Sequence, residues 1–125
     1  MQSPVNATTD PLWAATLNSL RGLNDGIRTE RAVRQEAIVL IIGVVVGVAI
    51  APSAGWYVAM IAALLGTLAV EFLNTAVEKL ADRLTREKDV AIGRVKDFGS
   101  AAVLCMLCVD VLTWGAALAL RLHLF

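Results

Sequence analysis

Hydrophobic positions along this chain form one interrupted stripe followed by three long runs. Residues 1–11 (MQSPVNATTDP) are polar, with two prolines, and predict a loose tail; Asp10 is placed to cap a helix whose first position is Pro11. Over residues 12–29 apolar side chains recur at helical spacing, at Leu12, Trp13, Leu17, Leu20, Leu23 and Ile27 with Thr16 among them, while Arg21, Asp25 and Arg28 fall mainly opposite. That pattern predicts an amphipathic helix lying on a membrane surface. Residues 33–51, 56–78 and 98–120 are then long apolar runs, each reaching or approaching the ~20 residues that cross a bilayer. Pro52-Ser53 separates the first two, and the second starts near Trp56. Gly43-x-x-x-Gly47 and Ala62-x-x-x-Gly66 permit close helix contacts, although such spacings are common by chance. The expected fold is therefore an all-α membrane domain with three transmembrane helices and one N-terminal surface helix.

Composition strengthens that reading. The chain is 58% hydrophobic with mean hydropathy +0.69, too apolar for an ordinary soluble domain of 125 residues. Eleven basic and eleven acidic residues cancel, so the basic stripe of a nucleic-acid binder is missing. The basic residues are nonetheless one-sided. Arg21, Arg28, Arg31 and Arg34 precede the first run, and Lys79, Arg83, Arg86, Lys88, Arg94 and Lys96 lie between the second and third, leaving only Arg121 at the far end. By the positive-inside rule the N-terminus and the 79–96 segment face the cytoplasm and the C-terminus faces outward. The first thirty residues lack the apolar core of a cleavable signal peptide. Cys105-x-x-Cys108 has no second pair, and His123 is the only histidine, so both thiols read as small buried apolar side chains.

One departure from apolarity carries the functional information. Glu71, Asn74, Glu78 and Asp82 continue the second run, and at 100° per residue they fall within about 80° of arc. One helix face thus carries three carboxylates and an amide near bilayer depth, where ionisable groups usually mark an ion, proton or substrate site. With Trp56 as an outer interfacial anchor, Glu71 lies fifteen residues further in, or about 22 Å. That puts Glu71 at the inner edge of the hydrocarbon and Glu78 about 10 Å further, in water.

A carboxylate at the boundary can take a proton from a lipid hydroxyl, and one a turn or two beyond can hold Mg²⁺ carried by a phosphate. Glu30, between surface helix and first run, is a second candidate metal oxygen, and Lys96-Asp97 brings a cation to phosphate charge. Such a set suits phosphoryl transfer. Neither a G-x-x-x-x-G-K-[ST] nor a G-x-G-x-x-G loop is present. The residues alone leave three readings open: a lipid kinase, a small proton-coupled transporter and a passive bundle. Asp82 reads as solvent-facing or paired with Arg86 four residues on. Asp110, mid-run, reads as a polar packing group facing the bundle.

Two stretches resemble a known family. Glu71-Phe-Leu-Asn74-Thr-Ala-Val-Glu78 followed by Asp82-Arg83, and Gly93-Arg-Val-Lys96-Asp97-Phe-Gly-Ser100-Ala-Ala-Val103, are similar to the prokaryotic diacylglycerol kinases. The Glu30-Arg-Ala-Val-Arg34-Gln35-Glu36 segment resembles that family's lead into its first span, and the similarity runs over about residues 13–120. The resemblance implies a homotrimer with sites at subunit boundaries that uses MgATP to phosphorylate a membrane lipid alcohol. Diacylglycerol is the expected substrate, with undecaprenol, used by a relative of the same architecture, as the alternative. Carried onto this chain, it makes Glu71 the base, Asn74 its orienting neighbour, and Glu30 and Glu78 the Mg²⁺ ligands. Nucleotide contacts fall to Asn18, Glu30, Glu78, Glu87, Lys88, Asp89, Lys96 and Asp97. The lipid falls to Ala15, Ser19, Arg34, Gln35, Glu71, Ser100 and Trp114. The chain departs from the family pattern at Pro11–Ala14, where relatives often have a basic residue, and at Asn18, where many have Tyr. It differs again at Glu87-Lys88-Asp89, where a histidine is common.

Overall fold

The computed structural model describes residues 11–124. Among them the chain is all-helical: α1 (Pro11–Thr29), α2 (Arg31–Ile50), α3 (Ala54–Leu84) and α4 (Val90–Arg121). Helix α1 begins at Pro11, where a fixed φ suits a first turn; the expected Asp10 cap lies outside the described residues.

A single residue separates α1 from α2. Glu30 is extended (φ −105°, ψ 121°), yet its N–H still donates to Gly26 O at 2.9 Å and its carbonyl accepts from Arg34 N at 3.1 Å. The chain bends there while losing little hydrogen bonding, and the Glu30 side chain is left at the corner. The corner is packed on the inside, where the Phe72 ring lies against Gly26. Val33, Ala37 and Leu68 form a small core above it, flanked by Ile27, Leu40 and Phe72.

Helices α2, α3 and α4 are each long and apolar enough to cross a membrane. Their exposed faces carry Ile41, Val45, Val48, Leu65, Leu104, Val111 and Leu112, surface that water would penalise and that lipid or another membrane helix accepts. Helix α3 lies at the centre, against both α2 and α4. Its buried residues, Met60, Ala63, Leu64, Thr67, Leu68, Glu71, Asn74 and Ala81, recur at three- and four-residue steps, so one continuous face turns from apolar to polar as it goes inward. Small residues set the approach of α2: Gly43 is buried beneath Leu64 and Trp114, and Gly47 lies against Tyr57. Tyr57 then donates its hydroxyl to Val44 O at 3.0 Å.

The helices outrun the apolar runs that announced them. Helix α3 starts at Ala54, where Ser53 Oγ accepts from Trp56 N, and extends to Leu84. Helix α4 starts at Val90, well before the apolar run at residue 98, because Asp89 Oδ1 caps it by accepting from Ala91 N (2.8 Å) and Ile92 N (3.0 Å). Lys96 and Asp97 therefore stand on a helix and not on a loop before it.

Candidate active site

Helix α3 carries the site's spine. Glu71 is only 7% exposed and makes no hydrogen bond or ion pair among the described residues. One turn inward Asn74 is 8% exposed; its Nδ2 donates to Glu78 Oε1 at 3.2 Å, and its Oδ1 is buried without a partner. The Asn74 amide fits there because position 99 on α4 is glycine: a Cβ at Gly99 would overlap Asn74 Oδ1. Glu78 is exposed, so the series passes from a buried acid to an aqueous one along one face.

Glu30 reaches this spine from the α1–α2 corner. Its carboxylate pairs with Lys79 Nζ at 2.7 Å and accepts from Thr29 Oγ1 at 2.8 Å. The Lys79 bond first, and the Thr29 bond second, hold its pKa below the ordinary carboxylate range. The pair is accordingly intact at neutral pH and is lost only as pH falls through that lowered value. Lys79 follows Glu78 directly on α3, and its ammonium sits on Glu30.

At the turn of the α3–α4 hairpin a cavity of about 360 Å³ gathers Glu87, Lys88, Asp89 and Lys96 with Asp82. Asp82 bonds Lys96 at 2.5 Å. Of the two readings of Asp82 the solvent-facing one holds, since it is exposed, and the Arg86 pairing does not: α3 ends at Leu84, so Arg86 is no longer one helical turn from Asp82, whereas the antiparallel hairpin brings Lys96 alongside. Asp97 and Ser100 are exposed on α4.

The remaining predicted residues make no hydrogen bond or ion pair with Glu71, Asn74 or Glu78 among the described residues. Ala15, Asn18 and Ser19 are exposed on α1, which buries no residue, and Ser19 Oγ simply donates to Ala15 O at 3.0 Å. Arg34 and Gln35 are exposed at the start of α2, Arg34 donating weakly to Arg28 O at 3.4 Å. Trp114 is far outward, its Nε1 donating to Met60 O at 3.2 Å; Met60 is eleven residues, or about 16 Å, from Glu71. Cys105 and Cys108 are free and exposed on α4, correcting the expectation that they are buried. In a membrane helix the apolar side faces lipid or another subunit as readily as the interior, so hydrophobicity alone does not assign burial.

Three groups were not legible as site neighbours. Glu36 on α2 lies within electrostatic range of Glu71 and of Asp110. Lys79 was visible only as a topogenic charge. Thr67, four residues before Glu71 on the same face, is fully buried and donates to Asp110 Oδ2 at 2.5 Å.

The donor set is compatible with Mg²⁺. Among the described residues no three acidic, histidine or cysteine side chains converge as a self-sufficient metal cage. Glu30 and Glu78 are oxygen donors of the kind Mg²⁺ takes, and the Lys79 ammonium on Glu30 would have to give way to such an ion, whose other positions water and substrate phosphate would fill.

The chain is similar to known proteins over most of its length. The model of the family described as prokaryotic diacylglycerol kinase matches residues 17–118. The diacylglycerol kinase of Escherichia coli K12 is 38% identical over 96 residues, covering 77% of this chain and 79% of that protein. Those of Haemophilus influenzae and Pseudomonas aeruginosa are 35% and 36% identical over 104 residues, each covering 83% of this chain and 88% and 85% of their own. A match of this length takes in all three membrane helices, the Glu71–Asn74–Glu78 face and the α3–α4 hairpin, and the chain belongs to the prokaryotic diacylglycerol kinase family.

Proposed function

We propose that this protein transfers the γ-phosphoryl group of ATP to the free hydroxyl of diacylglycerol, making phosphatidate at the cytoplasmic surface of the inner membrane. The observation that carries this reading is the single face of α3 on which a buried, unpartnered Glu71 leads through Asn74 to an exposed Glu78. A lipid alcohol surfaces at the first of these depths and a nucleotide arrives at the last.

Glu71 takes the hydroxyl proton as the lipid oxygen forms its bond to the γ-phosphorus and the bond to the ADP oxygen breaks. Asn74 holds Glu78 in place through its Nδ2 and, wedged over Gly99, fixes the spacing between base and nucleotide side. Glu30 and Glu78 hold Mg²⁺, which supplies charge neutralisation at the phosphates when bound. Lys96 and Lys88, with Glu87, Asp89, Asp97 and Asn18, form the nucleotide side. Lys96 reaches phosphate by exchanging its Asp82 partner.

Ala15, Ser19, Arg34, Gln35, Ser100 and Trp114 line the lipid's approach. Because α1 leaves Ala15, Asn18 and Ser19 exposed, and because apolar faces of the membrane helices are uncovered, a second copy completes each site in a homotrimer. The N-terminus is cytoplasmic and the C-terminus is outside.

The test uses purified protein in mixed micelles with labelled ATP, with and without magnesium, and with diacylglycerol or undecaprenol. Magnesium-dependent label on diacylglycerol is expected. Label confined to undecaprenol would replace the substrate, and no label on either lipid would overturn the kinase reading.

A further inference from the structure

One charged pair at the site is left without a task by the mechanism above. Lys79 Nζ sits 2.7 Å from Glu30 Oε1, reaching from α3 to the corner between α1 and α2. Lys79 also follows Glu78 directly, so it adjoins one proposed metal ligand in sequence and is bonded to the other. The Thr29 hydroxyl lies 2.8 Å from the same Glu30 oxygen, which keeps that neighbour when Lys79 leaves. The other Glu30 oxygen has no hydrogen-bond partner among the described residues.

This pair is built to exchange. The Lys79 side chain is 63% exposed and that of Glu30 25%, so water screens the attraction and little holds it. A lysine ammonium rides on a long flexible stem and can swing away without moving its helix. A divalent ion at Glu30 repels an ammonium on the same carboxylate, and the ammonium is the group free to turn aside. Mg²⁺ takes few protein oxygens and keeps substrate phosphate among its ligands. An ammonium turned off Glu30 then has phosphate oxygen within reach of its stem. A charge-assisted bond to phosphate is stronger than the screened pair it replaces.

We propose that Lys79 exchanges Glu30 for a phosphate oxygen of the nucleotide when the metal site fills, and so opposes a bare divalent ion while favouring one that carries phosphate. This rests on the kinase reading above and adds a nucleotide-contacting residue to that same site. A metal ion alone displaces the ammonium and leaves it without an anion; metal with nucleotide gives it a new one. Lys79 thereby couples the two ligands, and such coupling is reciprocal, each raising the other's affinity by the same factor. Lys96 is held comparably by Asp82, but Asp82 is no proposed metal ligand, so the Lys96 exchange answers to nucleotide alone.

The experiment titrates the two ligands separately on the full chain in detergent micelles: Mn²⁺ alone by electron paramagnetic resonance, and a non-hydrolysable ATP analogue at saturating Mg²⁺. Lys79→Met should bind Mn²⁺ about two- to fivefold tighter and the analogue about five- to tenfold weaker, opposite signs from one substitution. Lys79→Arg, which keeps the charge and its donors, should stay near the native protein in both. Lys96→Met should weaken the analogue and leave Mn²⁺ alone unchanged. Analogue binding that is unchanged or tighter in Lys79→Met would overturn the inference. So would weakening of both ligands, the result expected of a pair that only ties the corner to α3. Equal tightening of Mn²⁺ by Lys96→Met would also overturn it, by showing an effect of net charge. Should Lys79→Met fail to fold, Lys79→Gln carries the same comparison. A native protein that phosphorylates neither lipid contradicts the kinase reading itself; a working kinase whose Lys79→Met shifts share one sign contradicts only the exchange.

Discussion

Glu71, Asn74 and Glu78 differ in burial more than in chemistry, and the proposed function divides their work accordingly. On that reading the buried carboxylate with no partner serves the substrate, and the exposed one a turn beyond Asn74 serves a hydrated ion. Glu78→Gln is therefore expected to weaken MgATP binding, read by nucleotide titration, with turnover recoverable at high MgATP. Lys79 offers a sharper check. On the proposed assignment its ammonium competes with Mg²⁺ for Glu30, so Lys79→Met should tighten Mn²⁺ binding, followed by electron paramagnetic resonance, by about two- to fivefold, the worth of an exposed pair. Unchanged affinity would mean that Glu30 is not a ligand. The close approach of Gly99 to Asn74 makes a third residue-scale prediction: Gly99→Ala should lower kcat by about 10- to 100-fold by displacing the amide, with the protein still folded.

Among the elements, α3 was largely readable from sequence because one helix's own periodicity puts Glu71, Asn74 and Glu78 on one face, whatever surrounds it. What crosses between helices was not. The Glu30–Lys79, Asp82–Lys96 and Thr67–Asp110 pairs depend on the register of antiparallel neighbours, which single-chain spacing does not encode. Local rules even pointed elsewhere, toward Arg86 for Asp82, until the end of α3 at Leu84 removed it from reach. Helix ends were similarly hidden: hydropathy marks the lipid-facing middle of α4, whereas its start is set by the Asp89 cap. Asp89→Ala should cost about 1 kcal/mol of stability by detergent-phase unfolding and fray the first turn of α4, loosening Lys96 and the nucleotide side. No change in stability would show that packing against α3 alone holds that turn.

As a whole molecule, a protomer whose membrane helices leave Ile41, Val45, Leu104, Val111 and Leu112 uncovered has surface for lipid and for copies of itself. Ten of eleven basic residues fall on one side of the membrane helices, a feature that sequence states directly because it is a sum over loops and needs no packing, and the proposed orientation puts that side in the cytoplasm. A membrane-impermeant thiol reagent on intact cells should label a cysteine introduced at Leu124 and spare one introduced at Lys88. The reverse pattern would invert the topology and put the carboxylate face on the wrong side for ATP.

The most direct measurement is Glu71→Gln, assayed for lipid phosphorylation and, on the same sample, for MgATP affinity. Turnover should vanish while nucleotide binding stays within about twofold of the native protein, the pattern of a lost base. Near-native phosphorylation by this variant would contradict the account at its centre.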